Sequence, residues 1–142
     1  MHKRDWQHLI PHAGAMCLLD EVVRWDDDRI HALARSHRDP ANPLRSDGLL
    51  RSVHLCEYGA QAMAVHGGLL AQRAGHVAAP GFLVSLRAVK LLVARLDDLA
   101  ETLDVHAEKL LAAESGWQYA FSVECAGRLL AQGRAAVMHR EF

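Results

Sequence analysis

The chain has 142 residues, 51% of them hydrophobic and 23% charged, with a formal net charge of −1. This is enough chain for one domain with a real core, and residues 1–142 read as a single domain. The basic residues are scattered along the sequence, with no run that makes a phosphate-binding stripe, so neither nucleic acid nor an anionic membrane is expected as partner.

In chain order, Lys3 to Ile10 predicts a short helix or turn stopped by Pro11. Met16 to Trp25 predicts a strand, ending at the acidic turn Asp26-Asp27-Asp28. Ile30, Ala32 and Ala34 alternate with polar neighbours, the period of a half-buried strand, so the two strands are expected to pair as a hairpin. His37 to Asp47 is a loop, punctuated by Pro40, Asn42, Pro43 and Asp47-Gly48. Leu49 to His66 then reads as one helix, with Leu49, Val53, Cys56, Ala60 and Met63 at the spacing of a single face. Either it runs on past Gly67-Gly68 towards Gly75, or the glycine pair ends it.

Ala78 to Gly81 is a second break. Four strands are expected after it: Phe82 to Val93, Ala100 to Ala112, Trp117 to Cys125 and Leu129 to Met138. Ala100 to Ala112 also has the composition of a helix, but its approximate period of two and its neighbours favour a strand. Runs of strands around a single long helix predict an α+β fold with an antiparallel sheet of about six strands. The helix is apolar nearly all round, so the sheet is expected to curl about it. An open sheet has edges that invite pairing, and a homodimer or higher even oligomer is the expected assembly.

Three cysteines, Cys17, Cys56 and Cys125, are odd in number and lie in apolar stretches, which fits small hydrophobes in a reducing cytoplasm. The N-terminus lacks the apolar core of a signal peptide, and no run is long enough to span a bilayer. The ten histidines do not pair with cysteines at zinc spacing, so neither a metal nor a cofactor is expected.

Glu57 is the chemical anomaly. A carboxylate in the middle of a nearly uncharged helix is paired, used in chemistry, or leaning out to water. His54 and Gln61 lie within a turn of it.

Two motifs resemble the hotdog-fold β-hydroxyacyl-thioester dehydratases. Leu9 to Val22, LIPHAGAMCLLDEV, is similar to that family's opening segment L-P-H-x-x-P-(F/M)-L-L-x-D-R-V, with His12, Met16, Leu18, Leu19 and Asp20 in register. Glu57 to Gln61, EYGAQ, resembles its helical E-x-x-A-Q. Within the family, the pair is similar to the smaller dehydratase-like proteins of aryl-polyene and xanthomonadin pigment synthesis.

The resemblance implies a hotdog fold and dehydration of 3-hydroxyacyl chains held on the phosphopantetheine of an acyl carrier protein. The chain departs from the family at the loop before the helix. The usual G-H-F-P-G is absent, Pro43 stands fourteen residues before Glu57, and Arg51-Ser52 replaces the P-G at the helix start.

Glu57 is therefore the candidate acid, with His12 the first and His37 the second candidate for its basic partner; His54 reads as helix surface. Gln61 is expected to orient Glu57. Amides at the helix start, around Leu50 to Val53 and including Ser52, are expected to face the thioester oxygen. Met16, Tyr58 and Ser85 complete the expected substrate-binding set, although core filling is the simpler role for Tyr58. Arg45 and Arg51 are candidates to meet phosphopantetheine or an acidic carrier, with solvated charge as the simpler reading. A thioesterase, or a non-catalytic hotdog subunit beside an active dehydratase, are the competing functions.

Overall fold

Alternation in the second half of the chain decides the sheet. In the computed structural model, which describes residues 1–76, 81–113 and 116–139, β1 (Glu21–Trp25) and β2 (Arg29–Ala34) form the expected hairpin. The acidic turn works through Asp26, whose Oδ1 accepts from the amides of Asp28 and Arg29, both at 2.8 Å. β3 (Gly81–Leu91), β4 (Leu103–Ala113), β5 (Gly116–Cys125) and β6 (Arg128–His139) follow, and all neighbouring strands are antiparallel in the order β1-β2-β4-β5-β6-β3. The ambiguous segment is a strand because Leu103, Val105 and Ala107 share one buried face. Ala126 and Gly127, both at positive φ, make the tight turn between β5 and β6.

The helical elements are α1 (Lys3–Trp6) and the long α2 (Leu55–Arg73), the latter entered through a 3₁₀ turn at Ser52–His54. Gly67-Gly68 does not end α2. The pair lies where neighbours approach closely: a Cβ on Gly68 would stand 2.8 Å from Leu9 Cβ, and one on Gly67 3.1 Å from the Trp117 ring. The helix ends about two turns later, before Gly75 (φ 78°), where the amides of Gly75 and His76 return to the carbonyls of Gln72 and Ala71.

α2 packs across β4, β5, β2 and β6 of an open sheet. Its buried stripe is Leu55, Tyr58, Ala62, Val65 and Leu69. Of the expected stripe only Met63 is buried: Val53 is exposed and Leu49, Cys56 and Ala60 are half-buried, while Glu57 lies on that same outer side. Small side chains along the whole helix hid which face is the core face. His66, fully buried, is satisfied within the core by the Tyr119 hydroxyl at 2.8 Å and the Asp26 carbonyl at 2.7 Å.

The expected strand from Met16 begins only at Glu21. Residues 14–16 form a 3₁₀ turn, and the next residues are held to the helix by Gln61 instead of to a strand. The two sheet edges differ. Met1 and His2 lie along β1, with Met1 exchanging backbone bonds with Val22. On β3, the expected strand from Phe82 is present, and its apolar Leu83, Leu86, Val89 and Leu91 are exposed at the sheet edge. The expected break at 78–80 lies outside the described residues. All three cysteines are free thiols.

Candidate active site

The site begins with the way two chain segments meet. Gln61, completely buried on α2, takes the Leu18 amide on its Oε1 at 2.8 Å and donates from Nε2 to the Met16 carbonyl at 2.7 Å. Its third contact, Nε2 to Glu57 Oε1, is longer at 3.4 Å. One side chain therefore clips the segment carrying His12 onto the helix carrying Glu57. Behind it, the buried Tyr58 hydroxyl meets Ser36 Oγ at 2.8 Å and accepts from Asn42 Nδ2 at 3.3 Å, and Ser36 donates to the Leu18 carbonyl at 2.7 Å.

The clip brings His12 to Glu57. His12 Nε2 lies 3.3 Å from Glu57 Oε1, with the side chains 27% and 37% exposed, so the pair is reachable from solvent. The His12 Nδ1 is buried without a hydrogen-bond partner. Cys56, beside Glu57, has its thiol pushed up by burial and is no ready nucleophile.

The other candidates are placed elsewhere or already used. His37 is fully buried, with Nε2 on the Leu99 carbonyl at 3.1 Å, and burial pulls its imidazole below its ordinary value. That placement corrects the reading of a loop histidine open to substrate. Tyr58, equally buried and hydrogen-bonded, is a core residue and does not line an acyl channel. The Leu50 amide is taken by Asp97 Oδ1 at 2.8 Å and the Ser52 amide by the Ala94 carbonyl at 3.1 Å, so neither faces outward as an oxyanion donor. Val53, at the same helix entrance, is exposed.

Arg45 is spent on loop carbonyls, reaching those of His37 at 3.0 Å and Gly48 at 3.3 Å. Arg51 is exposed. Ser85 sits on the outermost strand, beyond the strands that carry α2. Met16 flanks the site with an exposed side chain.

Asp97 was missed by sequence reasoning. Its carboxylate, held well below the usual range chiefly by its hydrogen bond to Arg95, anchors the helix entrance through Leu50. An aspartate within a polar connector carries no signal of that role.

A long helix on a six-stranded antiparallel sheet, with a carboxylate on that helix beside a histidine from the opening segment, defines a hotdog-fold protein with a histidine–carboxylate pair. The chain belongs to the ApeP-like family, described as ApeP dehydratase, whose model matches residues 4–141. Among solved structures it is similar to the dehydratase heterocomplex ApeI:P from Xenorhabdus doucetiae, with 26% identity over 95% of this chain and 90% of that one and a TM-score of 0.84. Two further structures share the fold. S. sahachiroi AziG has 18% identity, coverage of 86% and 91%, and a TM-score of 0.62. A hypothetical thioesterase with coenzyme A from Streptococcus pneumoniae has 13% identity, coverage of 97% and 96%, and a TM-score of 0.66. No curated protein matches the chain. Among the described residues, no helix is long and apolar enough to cross a membrane.

Proposed function

We propose that this chain, as a single hotdog domain in the cytoplasm, dehydrates 3-hydroxyacyl thioesters on an acyl carrier protein in aryl-polyene synthesis. The observation that carries this reading is the 3.3 Å approach of His12 to Glu57. The reacting state has Glu57 as the carboxylic acid and His12 neutral with Nε2 free, and Nε2 removes a proton from the carbon next to the thioester carbonyl. The bond from the β-carbon to its hydroxyl breaks, and Glu57, as the carboxylic acid, gives its proton to the departing oxygen to form water. The proton on His12 then returns across the short gap to Glu57, restoring the pair. Each positioned transfer contributes about 10²–10⁴-fold. Gln61 is a positioning residue in this scheme, the Val53 amide is the donor proposed for the thioester oxygen, and Met16 borders the acyl chain.

The exposed Leu83, Leu86, Val89 and Leu91 along the open β3 edge support pairing with a second hotdog chain. A second copy is one choice. The Xenorhabdus doucetiae relative is a heterocomplex, which supports a related dehydratase as the other.

The test is a 3-hydroxyacyl carrier protein, incubated with the pure protein and weighed by mass spectrometry. Loss of water that falls at least about 10²-fold in Glu57→Gln supports the proposal. Release of free acid would instead identify a thioesterase. No change with this chain alone, but activity restored by a partner dehydratase regardless of Glu57→Gln, would make it a non-catalytic subunit.

A further inference from the structure

The outer face of the sheet, opposite α2, carries a second arrangement that the dehydratase chemistry does not use. Strand register lines up one residue from every strand in a single transverse row: Arg24, His31, His106, Ser122, Gln132 and Lys90. The adjacent row runs Arg29, Glu108, Ala120, Arg134 and Arg87. Facing partners in antiparallel strands project to the same side, and the residues between them in sequence, such as Val105, Ala107, Phe121, Val123 and Ala131, are buried against the helix.

These rows are strongly cationic at the β6–β3 end. Arg87 stands directly opposite Arg134, and Lys90 opposite Gln132. Like charges facing each other across strands are destabilising, and neighbouring side chains there are about 5 Å apart. Among the described residues, none of Arg87, Lys90 and Arg134 forms an ion pair. The one acid in the two rows, Glu108, is occupied by Arg29 at 3.4 Å. His31 and His106 stack at 4.3 Å between ring centroids and are paired outward, with Asp104 at 2.8 Å and Glu124 at 4.0 Å. A trough of about 700 Å³ crosses the sheet from Arg24 to Arg134, with Ser122 and Gln132 in its lining, and Arg87 and Lys90 stand just outside it, in register opposite its Arg134 and Gln132. That volume falls within the range of small-molecule sites, about 300–1,000 Å³.

The geometry points to a binding site for a diphosphate-bearing small molecule, seated on Arg87, Arg134 and Lys90, with Gln132 and Ser122 as neutral hydrogen-bonding neighbours. The guanidinium fork matches phosphate oxygens, and three cations at neighbouring register positions at the end of the trough answer a multiply charged anion better than a single carboxylate. The trough lies on the far side of the sheet from His12 and Glu57, so a thioester arm bound there does not reach that pair. The site therefore stands independently of the dehydratase reading.

The test titrates inorganic pyrophosphate into the full-length protein by calorimetry, with inorganic phosphate and ADP as parallel arms. Pyrophosphate is expected to saturate one site with a Kd below about 1 mM, at least about tenfold tighter than phosphate. Arg87→Gln with Arg134→Gln weakens it at least about tenfold, whereas Arg4→Gln, on the exposed face of α1, leaves it unchanged. Because the substitutions remove a like-charge opposition, the melting temperature is expected to hold or rise, separating lost binding from lost fold. ADP binding as tightly as pyrophosphate assigns the site to a nucleotide diphosphate; ADP failing where pyrophosphate binds assigns it to the free anion. No saturation by about 10 mM, equal affinity for phosphate, or an unaffected double variant overturns the proposal.

Discussion

Replacing Gln61 by leucine is the most informative single change. The apolar isostere keeps the volume at a fully buried position but removes both bonds to the opening segment. The Leu18 amide is buried, so leaving it unpaired costs about 1–3 kcal/mol. The Met16 carbonyl is only partly buried and recovers some hydration, so its loss falls at the low end of the same range. Together the expected destabilisation is about 2–4 kcal/mol. For a chain of this length, that is a fall in melting temperature of roughly 5–15 °C.

The assay is urea unfolding followed by the fluorescence of tryptophan, Trp6 being completely buried near this segment. The midpoint should shift while the slope stays constant. Dehydration measured well below the new melting temperature should also fall, because His12 is no longer clipped beside Glu57. A loss of under about 1 kcal/mol would refute the claim that Gln61 is what joins the two segments.

Tyr58→Phe removes a buried hydroxyl bonded to Ser36 and Asn42, and a stability loss of about 1–3 kcal/mol is expected without a change in substrate preference, which chain-length profiling of the products checks. Gly59→Ala would set a Cβ 2.6 Å from the Phe121 ring, so overpacking of about 1–3 kcal/mol should outweigh the helix-propensity gain of about 1 kcal/mol, as thermal melts can measure. Burial holds the imidazoles of His37 and His66 below their ordinary value near 6.5. The unfolded chain thus binds more protons below that pH. Stability should be complete above about pH 6.5 and fall as pH drops below it, with a slope of at most about 1.4 kcal/mol per unit for each histidine. Melting curves from pH 8 to 5 that stay flat would contradict neutral burial of both rings.

Much of the fold was legible because its signals are local. Period-two runs such as Ile30-Ala32-Ala34 and Tyr119-Phe121-Val123 name their own buried face, and Gly127 marks its own turn. The long helix was equally plain, but its orientation was not. With alanines and glycines all round, periodicity selected Val53, Cys56 and Ala60, whereas packing against the sheet buried Leu55, Tyr58 and Ala62. The apolar residues of β3 name their strand by alternation, but only the strand order puts them on an open edge.

The same division runs through the sites. Sequence alone determined that Glu57 is anomalous, and motif resemblance put His12 and Gln61 beside it in the argument. Only the tertiary structure decided between the histidines, because His12 and Glu57 lie 45 residues apart and meet through the Gln61 clip, while His37 turns into the core. The cationic rows were invisible for the same reason. Arg24, Lys90 and Arg134 are scattered along the chain, and only antiparallel register makes them neighbours on one face. Local pattern reports what a residue's own segment prefers, whereas charge, proton transfer and specificity depend on what distant segments bring within a few ångströms.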